Sequence, residues 1–397
     1  SWGRRGGFYI PQNLSVPGLD PNQHPKPGPA ADRPAESDYP LADSVLAKGV
    51  CDASIPGHVR EDPAIKGWMV YGSNLPTTLP NPEETKRALE ALDFVVTIDV
   101  LPVEMVGWSD VVLPESTYLE RDDDLNTPWY RQGYVGLRQA AVSPMYDTRP
   151  GWWIAKELSN RLGIGEHFAW KDAREYVDAR LEAAGIDVER ARADGVVVDE
   201  RKPIYYEEGV APAFYTGSGK IELYSPRLAE LGFDPMPTWH DGELEEPPAG
   251  YYRLLFGRAP MHTFGRTTNN RLLSETFDEN AVWVNRKVAR KWGLEPGDRV
   301  HLKNQDGVVS TFSAPVKVTE RIRPDAVYMV HGYGRKAKGL GFVHGRGIDD
   351  AELVTNYRTD PLMGGTGMNV NFVTFVRAEQ VAADREAVAA VGSAKAV

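Results

Sequence analysis

The sequence predicts an α/β domain followed by a β-rich domain, and three observations support this prediction. Between Gly67 and Asp99, a short apolar run, a turn-rich loop, a helical segment and a β-branched run follow one another, which is typical of a unit with a buried parallel sheet. From Tyr251 onward, short apolar runs alternate with turn residues, as in small barrels. The 397 residues exceed the roughly 250 to 300 at which single cores stop growing, so we expect several domains.

The α/β part is predicted from alternating strand and helix signals. Asn81 can cap a helix, Pro82 suits its first position, and two glutamates follow where the helix dipole favours negative charge. Gly163 and Gly185 stand where left-handed residues end two later helices. The predicted strands are 68–71, 94–99 and 110–114, and the predicted helices are one from Asn81 onward and two at 152–162 and 173–184.

The section from Tyr251 is predicted to form a compact barrel of roughly six strands with one short helix at 286–292. The dipeptide Asp306-Gly307 is a tight hairpin signal. Ahead of this section, the turn 216–219 is expected to lead into an alternating strand at 220–224. The predicted barrel strands are 252–256, 281–284, 299–303, 308–318 and 326–330.

These patterns divide the chain into four segments, with a linker candidate at 243–248. Prolines crowd the first segment, which is therefore expected to be mostly irregular, and the alanine-rich tail beyond Asp384 is expected to fray. The segments are an irregular wrapping segment at 1–60, an α/β domain at 61–165, an α+β connecting segment at 166–249 and a C-terminal β-barrel at 250–397.

Composition restricts the classes of function. The formal net charge of -11 and the pI near 5.3 argue against a nucleic-acid partner, which would need clustered basic residues. No apolar run approaches the roughly 20 residues that span a bilayer, so any membrane attachment is expected through a partner. The basic group Arg335, Lys336 and Lys338 has two interpretations, a solvated loop or a contact to a phosphate.

Cysteine content excludes several metal sites. Cys51 is the single cysteine, so this chain cannot form an internal disulfide or hold an iron-sulfur cluster with its own thiolates. The acidic run 122–124 lacks the spacing of an EF-hand, and we predict a solvated or partner-facing loop there and no metal site. The chain begins at Ser1 without the pattern of a signal peptide, so we expect a processed, cropped or split chain.

A loop that follows the first predicted strand is the first candidate ligand site. Gly72, Ser73 and Asn74 lie at the carboxyl end of that strand, where open α/β sheets bind ligands, and Asp99 ends the next strand. These residues can meet a nucleotide-like phosphate, sugar or base, or they can form a structural turn and cap. Neither GxGxxG nor GxxxxGK[ST] occurs here, so the common dinucleotide and P-loop motifs are absent.

Two later loops carry further polar candidates. In the loop 257–270, the chain offers charged and hydrogen-bonding side chains, and the loop 356–372 combines glycines with asparagines that can donate and accept at a flat polar ring. The candidates in the first loop are Arg258, His262, Thr263, Arg266 and Thr268, and those in the second are Asn356, Thr366, Asn369 and Asn371.

Taken together, these segments resemble the C-terminal half of a molybdopterin oxidoreductase of the dimethyl sulfoxide reductase superfamily. The similar pieces are 71–76 with Asp99 and 109–120, then 257–270, 284–307 and 356–372. The amino-acid sequences at 74–76, 120–122 and 364–368 most resemble those of polysulfide and thiosulfate reductase catalytic subunits. The resemblance implies a Rossmann-like α/β nucleotide-binding domain followed by a double-psi β-barrel that binds a molybdopterin dinucleotide.

The resemblance also implies a cofactor and partners. The cofactor would be molybdenum bis(molybdopterin guanine dinucleotide), held in part by the candidate residues named above. The metal ligand and an iron-sulfur cluster would belong to an N-terminal half or a partner. The complete enzyme would reduce polysulfide or thiosulfate in anaerobic respiration, with an iron-sulfur electron-transfer subunit and, indirectly, a membrane anchor. It would lie on the periplasmic side of the bacterial inner membrane, although cytoplasmic relatives exist.

Three catalytic candidates and two other functions remain open. His262, His331 and Tyr333 could reach the substrate funnel or could be packed core residues. The chain could also be a non-catalytic scaffold subunit of a respiratory complex that keeps the fold. An NAD-dependent dehydrogenase is the third interpretation, although its glycine motif is missing.

Overall fold

A computed structural model describes residues 2–19, 39–41, 47–63, 65–209, 214–236, 238–239 and 245–381. Of the predicted segments, residues 20–38 and 42–46 of the wrapping segment, 243–244 of the linker and the tail beyond Asp384 lie outside the described residues. The helices are α1 (Ala47–Asp52), α2 (Leu75–Thr78), α3 (Pro82–Ala91), α4 (Gly151–Leu162), α5 (Ala173–Ala183), α6 (Val188–Asp194), α7 (Pro226–Glu230), α8 (Arg271–Ser274) and α9 (Arg286–Trp292). The strands are β1 (Gly67–Tyr71), β2 (Phe94–Asp99), β3 (Val111–Pro114), β4 (Asp123–Asn126), β5 (Tyr134–Arg138), β6 (Val196–Val198), β7 (Tyr252–Gly257), β8 (Val282–Val284), β9 (Arg299–Asn304), β10 (Ala314–Val318), β11 (Ala326–Val330), β12 (Arg358–Thr359), β13 (Thr366–Gly367) and β14 (Phe372–Arg377).

The chain divides into two compact units. One comprises residues 1–28 and 113–238, and the other comprises 29–112 and 239–397. We call them the connecting unit and the barrel unit. The four segments drawn from the sequence stay a prediction. Within the described residues, no helix is long and apolar enough to cross a membrane.

A small α/β layer forms the first part of the barrel unit. Its sheet has the order β1-β2-β3, and β1 and β2 run parallel, with Tyr71 beside Ile98 at their carboxyl ends. Trp68, Val70 and Val95 enter a buried core together with residues of α1 and α3. This arrangement agrees with the predicted strand-helix-strand order, and the finer Rossmann-like assignment stays a prediction.

A closed six-stranded barrel forms the second part of the same unit, with the order β10-β8-β11-β7-β14-β9. Its interior is filled by aliphatic side chains such as Leu254, Val282, Leu302 and Met329, each with no exposed surface. Burial of an aliphatic side chain of this size stabilises a fold by roughly 1.5 to 3 kcal/mol. The predicted barrel is confirmed, and the double-psi connectivity stays a prediction.

The connecting unit contains the sheet β4-β5-β6 and a core of Val135, Val177, Leu181 and Ala191. Residues 2–19 pack along this unit: Gln12 exchanges backbone hydrogen bonds with Tyr130. These contacts place part of the first segment against this unit, and the wrapping role of the whole segment stays a prediction.

Three local predictions were wrong. Asn81 has a left-handed φ of 54° and makes no side-chain cap hydrogen bond. Residues 220–224 form no strand, and the predicted strand 308–318 is a strand only over Ala314–Val318, because the buried Ser310 hydroxyl donates to the Phe312 carbonyl and turns the chain. The segment expected to be mostly irregular contains one short helix, α1.

Candidate cofactor-binding site

The loop after β1 lies at the carboxyl edge of the parallel sheet, as predicted. The Gly72 amide donates to the Ile98 carbonyl at 2.9 Å, and the φ of +60° at Gly72 suits glycine. Ser73 is exposed, and the Asp99 carboxylate accepts a hydrogen bond from the Leu101 amide at 2.9 Å. Gly72, Ser73 and Asp99 therefore share one edge of the sheet.

Asn74 has the structural role that the sequence left open beside ligand binding. Its side-chain amide donates to Glu104 Oε2 at 2.8 Å, and its Oδ1 accepts from the Met105 amide at 2.9 Å. The side chain also donates to Thr77 Oγ1 at 2.7 Å. These bonds fix the loop to the segment after β2, so Asn74 holds the shape of the candidate site.

A buried ion pair that the sequence did not reveal joins this edge to the barrel. Arg335 Nε lies 3.1 Å from both carboxylate oxygens of Glu104, and the guanidinium Nη2 donates to Oε2. The Lys336 and Ala337 amides donate to Glu104 Oε1 at 2.8 and 3.1 Å. The Arg335 side chain is 5% exposed and the Glu104 side chain is 10% exposed.

Burial by itself would raise the pKa of Glu104. The hydrogen bonds and charge of Arg335, with the backbone amide of Ala337, outweigh burial and lower the pKa to about 2. Glu104 is therefore ionised at neutral pH. The interpretation of Arg335 as part of a solvated loop was wrong, because its guanidinium is buried against a carboxylate, and the contact to a phosphate is untested. Lys336 is exposed and pairs with Glu352, and Lys338 is exposed.

The loop 257–270 follows the carboxyl end of β7, beside the carboxyl end of β11. The His331 amide donates to the Gly257 carbonyl at 2.9 Å, and Arg335 Nη1 donates to the Gly265 carbonyl at 3.4 Å. The Arg258, Thr263 and Arg266 side chains are exposed in this loop. These three side chains can therefore contact a ligand. Arg335 connects their loop, through Glu104, to the carboxyl edge of the sheet.

Two other candidates of this loop are buried. His262 Nε2 lies 2.8 Å from the Phe277 carbonyl and Nδ1 lies 3.3 Å from Thr267 Oγ1. The Thr268 hydroxyl is within 3.1 Å of the Gly265 carbonyl. Both side chains therefore stabilise the loop from its buried side. This geometry does not match the prediction that they contact a cofactor.

The third group of candidates lies at the other end of β7. Leu254 donates its amide to the Asn371 carbonyl, so Asn371 lies beside the amino-terminal half of the strand, about 10 Å from Gly257 along an extended chain. The Asn371 side chain is buried and bonded to the Asn356 carbonyl at 2.8 Å. Asn356, Thr366 and Asn369 are exposed. The structure thus places the candidates in two groups at opposite ends of β7.

Tyr333 and His331 differ as catalytic candidates. Tyr333 has no exposed surface, and its hydroxyl donates to the Phe277 carbonyl at 2.9 Å. Burial raises the pKa of the Tyr333 phenol well above its usual range, so the side chain is a neutral core residue. In contrast, His331 Nε2 is a buried atom that has no hydrogen-bond partner among the described residues.

The residues present fit an extended polar cofactor. Exposed arginines suit phosphates, the glycine at position 72 allows close approach of a ligand to the backbone, and the buried polar atoms His331 Nε2 and Asp350 Oδ1 have no hydrogen-bond partner within the described chain. An unpaired buried polar atom is costly, which indicates that a ligand group belongs near it. The arrangement can bind and orient such a group, and no nucleophile is evident in the described residues.

A metal site formed by protein side chains receives no support. Asp123 and Asp124 of the acidic run pair with arginines, including Arg121 and Arg180, and the solvated or partner-facing role of this run stays a prediction. Among the described residues, Asp52, His58 and Glu84 place ligand atoms within 4.8 Å of one another. The two His58 nitrogens already lie 3.2 Å from Asp52 and 2.6 Å from Arg87.

The barrel and these loops are suited to an extended polar cofactor, and comparison with known families identifies the class of protein. The family described as "Molybdopterin oxidoreductase" matches residues 55–161, and the "Molydopterin dinucleotide binding domain" matches residues 252–374. The first range contains the loop after β1, and the second contains the loops 257–270 and 356–372. The chain belongs to the molybdopterin oxidoreductase family, whose cofactor is molybdenum with a pterin dinucleotide.

Individual relatives support the same assignment. The thiosulfate reductase molybdopterin-containing subunit PhsA of Salmonella typhimurium is 30% identical over 417 residues, which cover 94% of this chain and 53% of that protein. The assimilatory nitrate reductase catalytic subunit of Bacillus subtilis is 26% identical over 322 residues, covering 78% of this chain and 43% of that protein. The solved acetylene hydratase from Pelobacter acetylenicus has a TM-score of 0.65 at 21% identity, covering 83% of this chain and 46% of that one. This chain spans about half the length of these relatives.

Proposed function

We propose that this chain is the cofactor-binding half of a catalytic subunit that carries molybdenum bis(molybdopterin guanine dinucleotide). The observation that carries the proposal is the buried Glu104–Arg335 pair. Glu104 also accepts a hydrogen bond from Asn74 in the loop after β1, and Arg335 donates to Gly265 in the loop after β7. The pair therefore links these two loops, and each of the two family matches contains one of them. Gly72, Ser73, Arg258 and Arg266 would contact the dinucleotide arms.

The complete enzyme would reduce thiosulfate or polysulfide. This substrate class is supported by the similarity to a thiosulfate reductase subunit over 94% of the chain. When bound, the cofactor supplies the two-electron bond chemistry at the metal, and the protein binds and orients it. The residues of this chain exclude water from the barrel interior and hold the loops that face the cofactor.

The remaining half of the catalytic subunit is the first partner that we propose. Parallel sheets are normally covered on both faces, whereas one face of this sheet leaves Met69, Tyr71 and Phe94 about half exposed, at 56%, 53% and 50%. Helices of the other half would cover these side chains. An iron-sulfur electron-transfer subunit and a membrane anchor would complete the respiratory complex, on the periplasmic side of the bacterial inner membrane.

The test is metal and pterin analysis of the protein isolated from its native host with whatever co-purifies. We expect molybdenum, two pterin guanine dinucleotides and a partner polypeptide that bears clustered cysteines, together with reduction of thiosulfate or polysulfide by reduced viologen. Fractionation of intact cells would place the complex inside or outside the inner membrane. A stable complex that contains neither metal nor pterin would refute the enzymatic function and favour a non-catalytic scaffold subunit.

A pair of variants links the result to the site. Arg258→Ala combined with Arg266→Ala removes two exposed cations from the loop after β7 and should reduce the pterin content at least severalfold. Arg323→Ala is the matched control, because Arg323 is 83% exposed and lies before the amino end of β11. Equal pterin content in all three proteins would remove this loop from the site.

A further inference from the structure

Two buried polar atoms beside the loop 257–270 have no hydrogen-bond partner among the described residues. They are His331 Nε2 and Asp350 Oδ1. The Asp350 side chain is 7% exposed, and its Oδ1 lies 3.7 Å from His331 Nδ1. Because burying an unpaired donor or acceptor destabilises a fold, a purely structural role does not account for this pair.

The surroundings of His331 belong to the candidate site. Its ring lies edge-on to Phe264, with ring centroids 5.2 Å apart and planes at 86°. The Arg258 guanidinium lies over the Phe264 ring, 4.2 Å from its centroid. Phe264 has a φ of +52°, which is strained for a bulky residue. Strain of this kind persists where the surrounding structure holds a particular geometry, and it is often found at ligand sites.

The charged groups around the pair are engaged elsewhere. Arg335 pairs with Glu104, and Lys336 pairs with Glu352. Asp349 precedes Asp350, and burial, together with the charges of Asp350 and Glu352, raises the pKa of the Asp349 carboxyl well above its usual value. Asp350 is the carboxylate that the structure places beside His331, with its Oδ1 3.7 Å from His331 Nδ1.

We propose that His331 accepts a hydrogen bond at Nε2 from a ring N–H of the pterin dinucleotide, and that Asp350 positions the imidazole by keeping its proton at Nδ1. A carboxylate near one imidazole nitrogen fixes the tautomer, which makes the other nitrogen the acceptor. The pterin and the guanine of the cofactor both carry suitable N–H groups. This inference rests on the proposed function and names one residue that contacts the cofactor and one that positions it.

The first test measures the tautomer of His331. Nitrogen NMR of the complete complex, labelled with ¹⁵N-histidine, should show His331 protonated at Nδ1 and unprotonated at Nε2, with its signal identified by its loss in His331→Gln. Asp350→Asn should mix the two tautomers, which a merely structural carboxylate would not do. An imidazole that carries its proton at Nε2 in the wild-type complex would overturn the proposal.

The second test measures cofactor retention. After dialysis, His331→Phe should hold about tenfold less pterin dinucleotide than the wild type, the loss expected for one hydrogen bond in a buried site, whereas His331→Gln keeps an acceptor and should retain most of it. His344→Phe is the control, since His344 is exposed in the same unit. Retention by His331→Phe equal to that of the control would contradict the proposal.

A third measurement separates the two rings of the cofactor. Added to the cofactor-depleted complex, either guanosine monophosphate or pterin-6-carboxylate should shift the His331 nitrogen signal and thereby identify the ring. A shift from neither probe would count against a ring contact. A wild-type complex without any pterin would refute the proposed function itself, which is a result distinct from a loaded complex that is indifferent to His331.

Discussion

Replacing Glu104 by Gln tests whether the buried ion pair holds the candidate site together. The fall in the pKa of Glu104 from 4.5 to about 2 corresponds to about 3 kcal/mol of folding free energy. Removing one partner of a buried pair costs roughly 3 to 5 kcal/mol by comparison with other proteins. We therefore expect Glu104→Gln to lower the free energy of unfolding at pH 7 by about 3 kcal/mol.

The same pair predicts a pH dependence of known sign. Because the folded pKa lies below the ordinary value, the contribution is fully present above about pH 5 and is lost as the pH falls towards 2. The difference in unfolding free energy between wild type and Glu104→Gln should therefore shrink across this window. Other carboxylates titrate in both proteins and cancel in the difference.

Urea unfolding followed by circular dichroism, at several pH values, provides the measurement. Glu90→Gln is the matched control, because Glu90 is 54% exposed and its Lys86 contact is 4.0 Å, so its loss should cost under about 0.5 kcal/mol. If Glu104→Gln cost no more than Glu90→Gln at pH 7 with an unchanged urea dependence, the assignment of Glu104 as an ionised, buried partner would be refuted.

Three further perturbations address other parts of the molecule. Arg180→Ala should release the wrapping segment, since Arg180 Nε donates to the Pro17 carbonyl at 2.8 Å; limited proteolysis near the amino terminus should accelerate, and an unchanged rate would contradict this. Leu254→Ala should destabilise the barrel unit by about 2 to 5 kcal/mol in urea unfolding, because Leu254 has no exposed surface. Gly334→Ala should prevent folding or lower the melting temperature strongly, because a Cβ would lie 2.1 Å from the Asp349 amide nitrogen and φ is +68°; a melting temperature within a few degrees of wild type would disprove the close contact.

Local signals in the sequence were sufficient for most regular elements. The helix over Gly151–Leu162 ends at Gly163 with a φ of 76°, as expected for a glycine that follows a helix. The strand at Phe94–Asp99 and the closed barrel were likewise predicted from β-branched and apolar runs. These features depend on residues near one another in the chain, so a single sequence contains them.

Local signals failed where a side chain has a distant partner. Asn74 stood in a loop of ligand-binding type, yet its amide is bonded to Glu104, 30 residues away. His262 and Thr268 were predicted to face a cofactor and are buried beneath their loop. Sequence position gives the loop to which a residue belongs but not the direction of its side chain.

The sequence by itself determined that an α/β part precedes a β-barrel, and it determined the family resemblance and the loops that form the candidate site. Only the tertiary structure decided which polar residues are exposed in those loops and which are buried. Arg335 shows the reason: it stands in a basic group that predicts either solvent or phosphate, but it is paired with Glu104, 231 residues away. Hydrogen bonds and ion pairs of this kind depend on distances set by the packed core, and no local pattern in the chain encodes them.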